Sequence, residues 1–272
     1  MGHPQIAAFA RLANGGAKPV RAIAGQNTLF TRTIHDMAYD AVRDEILVAS
    51  YHAFAILTFK GDANGDVPPV RKIWGPSTQI LNPSSVSIDA VHGEIFVPQG
   101  NRVLVFPRDA NGDVAPIRIL EGPNTGFPAR ANDAQRVTID PVRNLMIASG
   151  GGIRIFDRTA SGNTKPLRTI TGFGAKEVRL MTNNPANGMI FGPVRAGELG
   201  GENPTGRFAL DDFVGVWSVF DDGDAPPRFT IGGPNLLLKD TRGIAIDPKN
   251  KNVMVSDKTL NAVLTFNVPE AF

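Results

Sequence analysis

The chain has no cysteine, which excludes disulfide staples, thiolate metal sites, iron–sulfur clusters and thiol catalysis. It also lacks an excess of either charge: 28 Lys and Arg stand against 26 Asp and Glu in 272 residues. A surplus that small does not argue for nucleic acid by itself. No uncharged apolar run reaches about 18 residues, so no membrane-spanning helix is expected. The opening Met1-Gly2-His3-Pro4-Gln5 lacks the basic and apolar regions of a leader. An extracytoplasmic location stays compatible with the sequence if a leader has been removed. No convincing 3.6-residue periodicity holds over ten residues. There is no Gly-x-Ser-x-Gly elbow, no phosphate loop and no Gly-x-Gly-x-x-Gly. The histidines His3, His35, His52 and His92 have no zinc-helix spacing.

Glycine and proline are in excess, at 29 and 21 residues, while apolar residues make 42% and charged residues 20% of the chain. That composition belongs to a globular protein with many tight turns. The length allows one or two domains, and the reading is one domain over 1–272.

An internal repeat accounts for the turns. Gly61-Asp62-Ala63-Asn64-Gly65-Asp66-Val67-Pro68-Pro69-Val70-Arg71 returns as Arg108-Asp109-Ala110-Asn111-Gly112-Asp113-Val114-Ala115-Pro116-Ile117-Arg118. Weaker copies lie at 12–21, 158–168 and 221–228. A phenylalanine precedes each: Phe9, Phe59, Phe106, Phe156 and Phe220, with a sixth at Phe266. The offset from Phe to the following Arg is 12 in four copies and 8 in the last. A second marker is an alternating run ending in Asp40, Asp89, Asp140 and Asp247, followed by a short apolar segment. The fourth copy departs, with Arg179-Leu180-Met181 in that place.

Each copy therefore holds four short strands, exemplified by an inner strand Val137–Asp140, a second strand Leu145–Ala148, a third strand Val103–Phe106 and an outer strand Pro116–Leu120. All are β-branched and bounded by Gly, Pro, Asn or Asp. Four strands per unit of about 47 residues indicate an all-β fold, a β-propeller of four-stranded blades. Asn64-Gly65 and its copies supply the positive φ of a tight hairpin. The Asp after the inner strand is expected to bond the next turn. The repeated Phe is expected to fill the layer between sheets, and the repeated Arg to guard the outer edge. Inner, second and outer strands each number five and third strands six. The expectation is five blades, with the outer strand at Val20 completing the blade that ends at Phe266. The alternative is six blades with both terminal ones incomplete. An insertion of about 196–213 lengthens the fourth copy. It reads as a partner-binding element or a variable excursion.

The pattern resembles the NHL-repeat and TolB-like propeller group, in which an inner strand ending in Asp is followed by a turn and an apolar strand. The segments that carry it are Gly243-Ile244-Ala245-Ile246-Asp247-Pro248 with Val253-Met254-Val255-Ser256-Asp257, and 137–149. The resemblance implies a fold, and that fold hosts scaffolds, peptide and RNA binders, lyases and lactonases.

Two candidate chemistries follow. Asp62–Asp66 and Asp109–Asp113 mimic half a calcium loop. The sixth position is Val67 or Val114 and the twelfth Ile73 or Leu120, where Gly and Glu are required. A hairpin is the better reading, and neither metal nor cofactor is expected. The loops entering the inner strands converge on one channel mouth. They carry His35-Asp36, Ser84-Ser85, Gln135-Arg136, Lys176-Glu177 and Arg242-Gly243, with Lys239 and Asp240 nearby. Gln135, Arg136, Lys176, Lys239 and Arg242 could hold a small anionic ligand. As an enzyme, His35 would be the base, Asp36 or Glu177 its partner, and Arg136 or Arg242 the anion clamp, in a hydrolase or lyase. RNA binding ranks third and nucleic acid is not expected, because only Phe30, Phe127 and Phe173 offer stacking platforms. The leading expectation is a non-enzymatic scaffold that binds a protein partner or assembles as a homo-oligomer through loops and terminal strand edges.

Overall fold

The computed structural model describes residues 4–32, 34–128, 136–195, 212–233 and 236–272. The chain forms two compact units, one of residues up to Gln99 with Val103–Ile119, the other of Gly100–Arg102 with Leu120–Phe272. Among the described residues no helix is long and apolar enough to cross a membrane. The only helices described are single 3-10 turns.

The strands are antiparallel and follow chain order. A hairpin pairs β1 (Gln5–Ala8) with β2 (Arg21–Ala24). The first four-stranded sheet is β3 (Ile34–Asp40), β4 (Glu45–Ser50), β5 (Ala55–Lys60) and β6 (Arg71–Ile73). The second is β7 (Ser87–Asp89), β8 (Glu94–Gln99), β9 (Arg102–Pro107) and β10 (Arg118–Glu121). The third is β11 (Val137–Asp140), β12 (Leu145–Ala148), β13 (Ile153–Asp157) and β14 (Arg168–Ile170). The fourth is β15 (Thr182–Asn184), β16 (Met189–Val194), β17 (Phe213–Ser218) and β18 (Phe229–Gly232). The fifth has three strands, β19 (Thr241–Asp247), β20 (Asn252–Asp257) and β21 (Ala262–Asn267). These meanders are the blades of a five-bladed β-propeller.

In the first four sheets, second and third strands read as near-continuous apolar runs because both their faces are covered, the condition under which strict alternation disappears. In the first unit, Ile46, Val48, Leu57 and Phe59 pack against Ile23 of the hairpin. From the other face of the same sheet, Leu47, Ala49 and Ile56 pack against Ile95, Val97 and Leu104. In the second unit, Ile147, Ile153 and Ile155 meet Ile190 and Trp217. Phe191, Val214 and Val216 meet Ile244, Val253 and Val255.

The Asp-Ala-Asn-Gly-Asp repeat proves to be a latch between neighbouring blades as well as a hairpin turn. Its glycine takes positive φ, +77° at Gly65 and +76° at Gly112, where a side chain is disfavoured. Gly65 bridges Ile23 and Gly112 bridges Ile73, each from the preceding sheet, and Leu120–Gly162 and Ile170–Gly223 repeat this. Asn64 Oδ1 accepts from the Ala22 N–H at 3.1 Å, and Asn111 Oδ1 from the Lys72 N–H at 3.0 Å. Asp66 and Asp113 accept from the Asn27 and Ser77 N–H groups of the 3-10 turn that leaves the preceding sheet's outer strand, each at 2.7 Å. Gly75 opens that turn with φ +119°, and a Cβ there would lie 2.5 Å from Asp113 Cγ, so the latch itself demands glycine. Asn64, Asp66, Asn111 and Asp113, four of the acceptors that resembled a calcium loop, thus take backbone donors, and Asp109 pairs with Arg43.

The Asp after each inner strand behaves as expected: Asp40 accepts from the Val42 N–H at 3.0 Å, Asp89 from Val91 at 3.0 Å and Asp140 from Val142 at 3.0 Å. Four expectations need correction. In the fourth copy the inner strand is β15, and Asn184 takes the Asp place by accepting from the Ala186 N–H at 3.2 Å; Arg179-Leu180-Met181 lies before it. Phe59, Phe106 and Phe156 are buried, but Phe9 and Phe220 are exposed. Trp217, six residues before its hairpin glycine as Phe59 is before Gly65, fills the aromatic place and is buried. The repeated Arg is held by hydrogen bonds rather than displayed: Arg71 grips Glu45 through both terminal nitrogens and Arg118 grips Glu94 at 2.7 and 2.8 Å within their own blades, while Arg21 and Arg168 donate to the Gly61 and Val219 carbonyls of the next sheet. Finally, β2 does not complete the last blade. It bonds β1, the strand just before it, in the register Ile6↔Ile23, because a short connection costs less closure entropy than one spanning the chain.

Candidate functional site

The loops that enter the inner strands are held by a device absent from the expectations. A polar residue ends each of four second strands and turns inward. Ser50 Oγ lies 3.2 Å from Thr31 Oγ1. Gln99 Oε1 accepts from the Leu81 N–H at 2.8 Å. Ser149 Oγ accepts from the Arg136 N–H at 2.9 Å. Asp257 Oδ2 accepts from the Lys239 and Asp240 N–H groups at 2.7 and 2.9 Å. All four are buried. Burial opposes ionisation of Asp257, yet its backbone donors outweigh that and hold the carboxyl below its usual range. The sequence signal was available as a polar residue closing each apolar run: Ala49-Ser50, Pro98-Gln99, Ala148-Ser149 and Ser256-Asp257.

In the first unit β3 begins with a bulge between Ile34 and Asp36. A bulge re-aims the side chains at a strand end. Here His35 is exposed and Asp36 buried. Asp36 Oδ2 accepts from Ser85 Oγ at 2.5 Å and from the Val86 N–H at 3.3 Å, so this carboxylate ties β3 to the entry of the next blade. His35 stacks on Tyr51 with centroids 4.2 Å apart and planes at 12°, and Tyr51 meets His52 edge-on at 5.1 Å. Desolvation under this stack, then the neighbouring His52, lower the His35 pKa against the opposing pull of Asp36. The ring is held toward its neutral, proton-accepting form.

In the second unit β19 also starts with a bulge, between Thr241 and Gly243, and Arg242 is turned outward. Thr241 donates its N–H and Oγ1–H to the buried Asp212 at 2.9 and 3.0 Å. Asp240 pairs with Arg242 at 3.2 Å and, more closely, with Arg195 at the end of β16. Desolvation would raise the Asp240 pKa, but Arg195 and then Arg242 bring it down. Lys239 is exposed beside them. Lys176 is exposed and Glu177 half-buried on the 3-10 turn Ala175–Glu177, while Arg136 is half-buried at the entry to β11. Gln135 and residues 196–211 of the insertion lie outside the described residues, and Phe213 already belongs to β17.

The first unit thus brings together His35, Asp36 and Ser85. The second brings together Lys239, Asp240 and Arg242 and adds Arg195, Asp212 and Asp257, whose roles sequence reasoning missed. Outward cations of this kind can donate to an anionic group. Among the described residues no three His, Asp or Glu side chains come together as metal ligands would.

No protein-family model matches the chain, and no curated protein matches it. Among solved structures, the crystal structure of the WD40 β-propeller domain of Doa1 is similar. The TM-score is 0.53, with 91% of this chain and 72% of that chain covered at 12% identity. A likeness at that identity is one of fold. The comparison supports a β-propeller; it does not extend to the NHL-repeat and TolB-like group.

Proposed function

We propose that this protein is a non-enzymatic β-propeller scaffold that binds another protein chain through its loops and an open strand edge. The observation behind this reading is the fifth sheet, which has three strands where the other four have four. In those four sheets the third strand is covered by an outer strand. On β21 no strand is paired to the outer edge among the described residues. Val263 on that strand is 68% exposed, whereas Ile56 at the same place on β5 is fully buried. Folded proteins normally block or cover such edges, because unpaired N–H and C=O groups recruit another strand. Proteins that bind by strand addition use this property.

Hydrogen exchange on the full chain tests the reading. The amides of Val263 and Thr265 are expected to exchange far faster than those of Ile56 and Thr58. Equal protection at both strands would mean a covered edge and would remove the reading. Light scattering over a dilution series separates capture of a partner from assembly with a second copy.

A further inference from the structure

The protein's own blades indicate what the open edge accepts. β5 reads Ala-Ile-Leu-Thr-Phe-Lys and β21 reads Ala-Val-Leu-Thr-Phe-Asn. The two strands also hold their inner neighbours in one register, Ala49↔Ile56 in the first sheet and Ser256↔Val263 in the fifth. On β5 the outer edge is taken by β6, with Ile56↔Ile73, Leu57↔Lys72 and Thr58↔Arg71. The Val70 N–H just before β6 donates to the Thr58 carbonyl at 2.7 Å. That bond recurs in every other covered blade: Val20 to Ala8, Ile117 to Val105, Leu167 to Ile155 and Arg228 to Val216, at 2.7–2.8 Å. The apolar residue of each outer strand is then buried: Ile23, Ile73, Leu120, Ile170 and Ile231.

We propose that β21 binds an extended segment of a partner protein, antiparallel, with Ile or Leu opposite Val263 and a polar residue opposite Thr265. This rests on the scaffold reading and adds the partner's chemistry to it. The residue preceding the segment donates its N–H to the Thr265 carbonyl. The Arg found in sister strands is not required, because the place of Glu45, which receives Arg71, is held by Asn252 on β20. The occupant is a different protein rather than a second copy. All five outer strands among the described residues, β2, β6, β10, β14 and β18, are already bonded to a third strand. A copy could donate one only by opening a blade.

The probe is a fluorescein-labelled peptide of residues 68–75, Pro-Pro-Val-Arg-Lys-Ile-Trp-Gly, titrated with the full chain and read by anisotropy. Saturable binding is expected. An Ile73→Asp peptide should bind about threefold more weakly, since it replaces an apolar cross-strand partner of Val263 with a charge. Thr265→Pro in the protein removes an edge N–H without touching the bonds to β20 and should abolish binding. If that variant does not fold, Val263→Lys, on an exposed position, serves the same end. No binding of the parent peptide overturns the proposal. So does binding unaffected by either protein variant, and so does equal binding of the Ile73→Asp peptide. A dimer in light scattering that Val263→Lys dissolves would assign the edge to a second copy and overturn the choice of occupant. Because hydrogen exchange reports the open edge without any ligand, a failed titration beside fast-exchanging Val263 rejects the partner chemistry alone.

Discussion

β5 and β21 are nearly one sequence in two environments. β5 is buried along five of its six residues, while β21 alternates between half-buried and exposed. Both strands pair with a second strand in matching register. The difference lies in what flanks them: β5 carries β6 on its edge and is buried on both faces. Burial is therefore a property of the neighbours, not of the Ala-x-Leu-Thr-Phe string.

The aromatic pair gives the largest expected contrast. Phe59→Ala should cost about 3–5 kcal/mol, the usual range for a fully buried Phe, and Phe266→Ala less than about half of that. Urea denaturation of the two variants measures it; equal losses would break the comparison. The next contrast is electrostatic. Glu45→Gln should cost about 1–3 kcal/mol at neutral pH by leaving Arg71 without its carboxylate. The hydrogen bond from Arg71 holds the Glu45 carboxyl below its usual pKa. A depressed acid contributes stability above its unfolded pKa and loses it as pH falls through the folded one. The gap between variant and parent should thus close in acid, as melting curves over a pH series can follow. Asn252→Gln, at the matching place on β20, should show no such pH dependence. The smallest effect belongs to Val263→Ala. It should change stability by less than about 0.5 kcal/mol, as exposed positions do, against about 2–5 kcal/mol for Ile56→Ala.

Much of the fold was legible because it is written in local, repeated chemistry. Asn-Gly turns, the repeated Asp residues and short β-branched runs gave the order of the strands described, apart from the position of the fourth inner strand. The inner strand Val137–Asp140 and the second strand Leu145–Ala148 match β11 and β12 to the residue. The fourth copy misled because its aromatic is Trp217 and its turn acceptor Asn184, so matching by Phe and Asp slid the register by three residues. The residues proposed for the site were harder to place. His35 and Arg242 face outward because each sits within a bulge, and bulges leave no mark in the sequence. Ser50, Gln99, Ser149 and Asp257 could have been noticed, but their role is visible only where the loop they hold lies beside them.

By itself the sequence determined the repeating unit and the conformation of its turns, since both act over a few residues. Tertiary structure alone decided which strand β2 would pair with. β1 and β21 both carry the third-strand pattern, so strand chemistry does not separate them. The choice fell to the strand beside it in the chain, where closing the loop costs least, and among the described residues no strand pairs the outer edge of β21.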